Sequence, residues 1–304
     1  MPHQTSGINS LDEYLQASLD RYTACLDVLS EPSSFTELSA TARFHHLRLD
    51  ANGRSRWKDL AKNLAYHILG YCFTVSRRSR AKDDTDLMAL RDEARSFFRK
   101  SQHSGEAGEI LLYFLMEAVL KAPQMVSKIS LKTNSQLECN GSDGIHMRWN
   151  ENEGLLDVYF GEAKLYKKAS EGIGSMVQSI EDFHTNSMEE FELRLVTRHF
   201  KHAESDLKDQ IIKFVDRGRS SDTVRVNHAC LVGYNWDAYD KLTQSTLSEM
   251  NEELKKNYLK ESNKLQSLLQ RRFLPFKSKR LRFEIFLLPF SSIDDFRNEF
   301  LNAL

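Results

Sequence analysis

The amino-acid sequence predicts a fold of the α/β (α+β) class, in which a mixed central sheet is flanked by helices. Runs rich in strand-forming residues lie at 145–149, 155–164, 228–234 and 281–289. Stretches with the helical spacing of apolar residues separate them. Strands and helices interspersed in this way are typical of a sheet covered by helices. With 304 residues, 40% of them hydrophobic, the chain can bury one large core or two modest ones.

The N-terminal part is predicted to form an accessory region. In order, a helix, a short strand and an apolar helix or strand are expected at 11–21, 43–49 and 60–75. A polar break at 76–86 follows. We therefore place a boundary within it, with a partner-docking region at 1–82 and the main domain at 83–304.

The remaining helices follow from apolar spacing. They are expected at 87–100, 105–121, from about Gly174, at 188–216, at 242–274 and at 292–301. Ser104 is a plausible N-cap for the second of these, and Pro123 stops it. Pro275 ends the long helix at 242–274, and residues 191–196 also alternate like a strand.

The strand runs 145–149 and 155–164 are predicted to form a hairpin, because a polar loop with glycine at its end, 151–154, joins them. If Asn150 faces Leu155, one face of the hairpin is apolar. That face carries Ile145, Met147, Trp149, Leu156, Val158 and Phe160.

The same register brings two carboxylates together. Asp143 is expected directly across from Glu162, with Lys164 on the same side as Glu162. Arg148 then meets Asp157 across the other face, which is a favourable pair of opposite charges. A slip of one residue would separate the two carboxylates, so the apolar and charged patterns favour the same register.

Two carboxylates and one ammonium at this spacing indicate a metal-dependent nuclease. Asp143 and Glu162 offer the hard oxygen ligands that Mg²⁺ prefers, and Lys164 offers a positive charge beside a phosphodiester. Glu109 is a third candidate, because it shares a helix face with apolar residues, which is unusual for a charge unless that face borders a site. Glu106, one turn earlier, is the competing choice.

This order of residues resembles the PD-(D/E)XK nuclease superfamily, whose defining residues are an Asp on one strand and (D/E)-x-K on the next. The match covers about residues 100–182. Ser142 stands where the superfamily name expects proline. More narrowly, the strings GEAGE at 105–109, SDGIH at 142–146 and GEAK at 161–164 resemble the HamA family, nuclease subunits of the bacterial Hachiman anti-phage system.

The resemblance implies a restriction-endonuclease-like sheet and cleavage of DNA by an effector that a helicase subunit, HamB, restrains. Asp143, Glu162 and the backbone carbonyl of Ala163 would hold Mg²⁺ or Mn²⁺. Lys164 would orient the attacking water or neutralise charge on phosphorus, and Glu109 would reach the metal through water or a second ion. Gln178, on the following helix, would contact the scissile strand or hold Lys164, although an exposed amide is more often only solvated.

Each motif also has an ordinary structural interpretation. A Glu-x-Lys on a strand is often a surface ion pair, and Asp before Gly is common in turns. His146 is interpreted as a core or interface histidine, with general-base duty as the minority view. The pairs His45/His46 and His199/His202 lack a third ligand at metal-site spacing, so both are interpreted as structural or surface residues.

The charge balance constrains how this chain binds DNA. The formal net charge is −1, whereas a protein that grips DNA alone through many phosphates is usually basic. Binding is therefore expected to be local or assisted. Two basic clusters are candidates, at 77–82 and at 271–282, although charge runs are more often solvated faces.

Composition predicts a cytoplasmic protein without a membrane span. The longest apolar stretches fall far short of a bilayer, and the polar start lacks a signal-peptide pattern. The four cysteines are dispersed, without the spacing of a zinc site or a disulfide framework, as expected in a reducing compartment. They are Cys25, Cys72, Cys139 and Cys230.

Two other functions remain open from the residues. One is a non-catalytic interaction subunit on a nuclease-like fold, since fold does not imply function. The intact set of Asp143, Glu162 and Lys164 argues against it. The other is an RNA- or tRNA-directed nuclease, because the metal chemistry does not distinguish the 2′-hydroxyl.

Overall fold

A mixed sheet of eight strands organises the part of the chain that the computed structural model describes. The described residues are 11–35, 39–98, 105–127, 129, 141–188, 192, 224–276 and 281–304. The strands are β1 Leu26–Val28, β2 Ser33–Phe35, β3 Ala40–Leu47, β4 Gln124–Ser127, β5 Gly144–Asn150, β6 Leu155–Tyr166, β7 Val224–Asn235 and β8 Arg282–Phe290. The predicted fold class is confirmed.

Helices cover both faces of this sheet. They are α1 Leu19–Cys25, α2 Trp57–Tyr66, α3 Ile68–Cys72, α4 Val75–Arg78, α5 Asp84–Ser96, α6 Glu106–Leu120, α7 Ala169–Thr185, α8 Leu247–Phe273 and α9 Ile293–Ala303, with 3₁₀ turns at Leu11–Tyr14 and Asp237–Asp240. One core packs α6 against the sheet with α1 to α3 and α9. A second core, on the other face, packs α7 and α8.

The strand order is β1-β3-β8-β7-β6-β5-β4, and β2 pairs with β3. The four central strands β3, β8, β7 and β6 are parallel, whereas β5 and β4 continue the sheet in antiparallel fashion. Because β6 has 12 residues and β5 has 7, the end of β6 extends beyond the start of β5. That overhang is where the candidate site lies.

Helix α6 is buried along nearly its whole length. Fourteen of its 15 residues are buried, and three of these are glutamates among otherwise mostly apolar residues, so the helix lies inside a core. Lys121, in the left-handed conformation, donates its N–H to the carbonyl of Met116 and ends the helix. The prediction of 105–121 agrees within one residue at each end. The predicted N-cap Ser104 lies outside the described residues, and Gly105 occupies the cap position.

The N-terminal region shares its sheet and core with the rest of the chain. Strand β3 pairs in parallel with β8, near the other end of the sequence. The predicted helix at 11–21 is instead a 3₁₀ turn followed by α1. The division into 1–82 and 83–304 stays a prediction, but its first part is not structurally separate.

A buried carboxylate connects these two parts. Glu117, 1% exposed, accepts the backbone N–H groups of Gln16 at 2.7 Å and Ala17 at 2.9 Å. Its other oxygen accepts the N–H of Gln124 at 3.2 Å. Through these three hydrogen bonds, Glu117 stabilises the segment before α1 and the start of β4 together.

The later elements follow the predictions closely. The strands at 228–234 and 281–289 are β7 and β8, and the helices at 242–274 and 292–301 are α8 and α9. The apolar run 60–75 is helical, and the helix at 87–100 starts earlier, where Asp83 caps it. Strands β1, β2 and β4 were not predicted. Most of 188–216, with His199 and His202, lies outside the described residues, as do Cys139 and residues 277–280.

No helix in the described ranges has both the length and the apolar character required to cross a bilayer. The three cysteines that are described, Cys25, Cys72 and Cys230, are buried free thiols.

A polar cluster joins the beginnings of the central strands. Asp157, fully buried, receives two hydrogen bonds from the Arg225 guanidinium, at 2.6 and 3.0 Å, and one from Asn227 at 3.0 Å. Arg148 approaches the same carboxylate at 3.4 Å, as the sequence predicted. Burial alone would raise the pKa of Asp157, but these hydrogen bonds and positive charges hold it below its ordinary value.

We expect Glu117→Gln to lower the free energy of unfolding by about 1–3 kcal/mol, because the amide has one acceptor oxygen for three N–H donors. Urea denaturation at neutral pH measures the change. Glu252→Gln, an exposed position on α8, is the matched control and should be neutral. Equal midpoints for the two variants would contradict the anchoring role of Glu117.

We expect Asp157→Asn to change how the free energy of unfolding depends on pH in the acid range. Since the folded-state pKa of Asp157 is depressed, its contribution is present above the ordinary aspartate pKa of about 3.9 and is lost as pH falls through the folded value. The variant should be less stable than wild type at pH 7, and the gap should close below about pH 4. Denaturant titrations across pH test this, with exposed Asp92→Asn as the control. A gap that stays constant with pH would contradict the assignment.

Candidate active site

The predicted hairpin register is confirmed from Asn150–Leu155 to Ile145–Phe160. The predicted apolar face forms its own core cluster, in which these strands pack against Phe183 of α7. The alternation therefore sets which side chains reach each face: Phe160, Glu162 and Lys164 point towards α7, whereas Ala163 and Leu165 point towards α6.

The register changes at Asp143, just before β5. The backbone N–H of Asp143 donates to the carbonyl of Gly161 at 2.8 Å, one residue short of the predicted direct opposition with Glu162. Its carboxylate instead accepts the backbone N–H of Ala163 at 2.7 Å. Asp143 thus lies at the edge of β6, where pairing with β5 has ended.

Glu162 and Lys164 contact each other on the α7 face of β6. The Lys164 ammonium lies 2.7 Å from a Glu162 oxygen, and their side chains are 21% and 16% exposed. Burial raises the pKa of Glu162 and the charge of Asp143 raises it further, while Lys164 and a hydrogen bond from Ser179 oppose the shift. Burial would lower the pKa of Lys164, but Glu162 and Asp143 raise it overall, so Lys164 stays an ammonium at neutral pH.

The backbone N–H and C=O of Ala163 face the edge of β6 at which Asp143 lies. In a strand, the N–H and C=O of one residue point to the same side. Because the N–H of Ala163 donates to Asp143, its carbonyl also points past the end of β5 rather than towards β7. This direction suits the carbonyl as an additional oxygen ligand.

Glu109 approaches the site from the opposite face of the sheet. The preceding Gly108 packs so closely that a Cβ there would lie 3.4 Å from the Cβ of Ala163. The Tyr71 hydroxyl, from α3, donates to Glu109 at 3.2 Å. Burial raises the pKa of Tyr71, and the charges of Glu109 and Asp143 raise it further, so this phenol stays a donor at neutral pH. The competing Glu106 is also buried, with 2% exposure.

These residues fit a divalent cation. Three carboxylates and one ammonium leave negative charge in excess within this group. Burial is the main cause of the raised pKa of Glu162, and the charge of Asp143 raises it further. Asp143, Glu162 and the Ala163 carbonyl are hard oxygen donors of the kind that Mg²⁺ and Mn²⁺ take. Among described residues, no three His, Cys, Asp or Glu side chains converge as a metal cluster, so Glu109 does not close the set directly.

Helix α7 offers a different residue from the one predicted. Gln178 is exposed, and its amide N–H donates to Asp182 at 2.9 Å, on the same helix, rather than accepting a hydrogen bond from Lys164. Ser179, the next residue, hydrogen-bonds Glu162. A contact between Gln178 and DNA stays a prediction.

Sequence reasoning also missed Glu192, a buried carboxylate beside Asp143. It accepts hydrogen bonds from the backbone N–H and the hydroxyl of Ser142. The two residues are 50 positions apart, and no local pattern signals such a contact.

Three of the histidines considered as ligands or bases lie among the described residues, and each has a structural contact. His146 is buried, and its Nδ1 lies 2.8 Å from the carbonyl of Ala122. His45 contacts the Tyr22 hydroxyl at 2.6 Å, and burial lowers its pKa to about 3, so the ring is neutral. His46 contacts the carbonyl of Leu47, and burial lowers its pKa as well.

Described residues of both basic clusters have identified neighbours. One guanidinium nitrogen of Arg77, Nη2, donates to both oxygens of Glu93 at 2.7 Å. Arg272 lies on α8 beside Gly174 of α7, where a Cβ would be 3.8 Å from its guanidinium carbon.

A comparison with known families identifies the chain. A model of the HamA family matches residues 23–304. The chain belongs to the HamA family. This membership supports a place among the components of Hachiman anti-phage defence and confirms the resemblance found in the sequence. No curated protein matches the chain.

We expect Tyr71→Phe to destabilise the protein by about 1–3 kcal/mol, because it removes a donor to a buried carboxylate and leaves the ring packing intact. Urea denaturation of the variant against wild type measures the effect. Tyr66→Phe is the matched control, since Tyr66 is 67% exposed. Equal stabilities for the two variants would show that the bond to Glu109 contributes nothing.

Proposed function

We propose that this HamA-family protein is a Mg²⁺- or Mn²⁺-dependent deoxyribonuclease, the effector of an anti-phage system under the control of a HamB-like superfamily 2 helicase. One observation carries the proposal. The residues of the PD-(D/E)XK pattern are neighbours at the overhang of β6: the Asp143 carboxylate accepts the N–H of Ala163 at 2.7 Å, and the Lys164 ammonium lies 2.7 Å from Glu162. Family membership supports the defence role.

The proposed roles follow from the donors that each residue presents. Asp143, Glu162 and the carbonyl of Ala163 would hold the cation, and Glu109 would act from the α6 face through water or a second ion. A bound cation supplies Lewis-acid polarisation of the phosphoryl oxygen and lowers the pKa of a coordinated water. The Ala163 N–H keeps the Asp143 carboxylate in place at 2.7 Å.

Lys164 would stabilise the charge that develops on the phosphoryl group. Hydrolysis adds the oxygen of water to phosphorus and breaks the bond to one ester oxygen, which leaves with a proton. Because the pKa of Lys164 is raised, the residue acts as a fixed positive charge and hydrogen-bond donor rather than as a base. Its contact with Glu162 orients it towards the same edge of the strand.

The charge of the chain supports assisted binding of DNA. A net charge of −1 provides little general attraction for a polyanion. A helicase partner that delivers DNA to the site would make up for this weak attraction. We place this activity in the cytoplasm, where the buried free thiols persist.

The test is cleavage of plasmid, linear and single-stranded DNA with Mg²⁺, against matched RNA, with and without the helicase and nucleotide. We expect DNA cleavage that EDTA abolishes and that Glu162→Ala/Lys164→Ala reduces by at least about 100-fold, as for the loss of electrostatic groups at a reacting centre. The matched control is Glu261→Ala/Lys264→Ala, a surface ion pair of α8 with a 3.5 Å separation.

The other outcomes decide between the alternatives. Preferential cleavage of RNA would replace DNA as the substrate. If wild type and the double variant are equally inert on every substrate, with the helicase and nucleotide present, a non-catalytic interaction subunit replaces the nuclease.

A further inference from the structure

The residue before Asp143 is held by a carboxylate from a distant part of the chain. Glu192 is 4% exposed, and its two oxygens accept the backbone N–H and the hydroxyl of Ser142. The same hydroxyl lies 3.4 Å from the carbonyl of Gly144. Both donors of Ser142 are therefore directed to one buried acceptor group, and charged acceptors make the stronger hydrogen bonds.

Asp143 needs such an anchor because it lies outside the ladder of the sheet. The paired ladder of β5 and β6 begins at Ile145, and a single backbone bond from Asp143 to Gly161 continues it. Fixing the backbone of one residue costs about 1–2 kcal/mol of conformational entropy. The contact with Glu192 supplies a restraint directly before the carboxylate that the proposed site uses.

The chain is shaped to admit Glu192 at this point. Gly141 has φ of 142°, a conformation that L side chains rarely adopt. A Cβ at this position would also collide with a carboxylate oxygen of Glu192. Glycine at 141 is thus required both by the backbone and by the approach of the carboxylate.

From this geometry we propose that Glu192 is a positioning residue for Asp143. It acts through Ser142 and orients the Asp143 carboxylate for a divalent cation. This inference rests on the proposed function. A structural carboxylate alone would affect only stability, as we expect for Glu117, whereas a positioning residue also sets the affinity for metal.

The variants are chosen to keep the fold. Glu192→Gln is isosteric but replaces one acceptor oxygen with an NH₂ group, so it removes the negative charge to which both Ser142 donors are directed. Ser142→Ala removes the hydroxyl and keeps the N–H. The double variant Ser142→Ala/Glu192→Gln tests whether the two residues act as one unit. If they do, the loss of metal affinity in the double variant differs from the sum of the two single losses. Glu117→Gln is the control for the loss of a buried carboxylate that binds backbone N–H groups elsewhere.

Two measurements on the purified protein test the proposal. Binding of Mn²⁺, followed by electron paramagnetic resonance, should weaken about 10- to 100-fold in Glu192→Gln, less in Ser142→Ala, and not at all in Glu117→Gln. Hydrogen exchange without metal should accelerate in the peptide that covers 141–145 in Glu192→Gln. Urea denaturation reports the stability of each variant separately.

Each outcome decides the question. Unchanged Mn²⁺ affinity in Glu192→Gln overturns the proposal, whether exchange at 141–145 accelerates or not, because the carboxylate is then only structural. A loss of affinity in Glu117→Gln equal to that in Glu192→Gln also overturns it. If wild type itself binds no Mn²⁺ and cleaves no nucleic acid, the proposed function fails and the inference fails with it. Wild type that binds, with Glu192→Gln binding equally, overturns the inference alone.

Discussion

The site depends on the unequal lengths of two paired strands. Strand β6 continues past the start of β5, while β7 holds its other edge through Tyr166. Because β5 does not reach Ala163, the backbone N–H of this residue would lack an acceptor unless a side chain supplied one. The Asp143 carboxylate takes that N–H at 2.7 Å, which satisfies the strand and places a negative charge at its edge. The same bond therefore satisfies the edge of the strand and fixes the position of Asp143 in the proposed site.

This arrangement places carboxylates from different layers around the same end of β6. Successive residues of β6 alternate between α7 and α6, so Glu162 and Lys164 lie on one face and Ala163 on the other. Glu109 arrives from α6, and Asp143 lies at the edge between the faces. A sheet interior would keep these groups apart. Only where β5 ends can groups from both faces approach a common point.

The hairpin and its charged residues were predictable because their signal is local. A period of two in apolar residues sets the register, and the register sets the face of each charge. The shift at Asp143 was not predictable, since it depends on single contacts: the Asp143 N–H donates to the carbonyl of Gly161, and its carboxylate accepts the N–H of Ala163. Tyr71, Ser179 and Glu192 were missed for a related reason: each contacts the site through tertiary packing, which no local sequence pattern signals. Strand β4 was missed because its four residues are too few to show the pattern of strand-forming residues that predicts a strand.

Three residues that are not proposed metal ligands support the site, and they come from separate parts of the chain. Tyr71 of α3 holds Glu109, Ser179 of α7 holds Glu162, and Glu192 holds the residue before Asp143. Misplacement of a reacting group by about 1 Å is enough to cost about 100-fold in rate. The geometry of the proposed site is therefore sensitive to the positions of these residues. Because α3 belongs to the N-terminal region, the hydrogen bond from Tyr71 makes that region part of the support for Glu109.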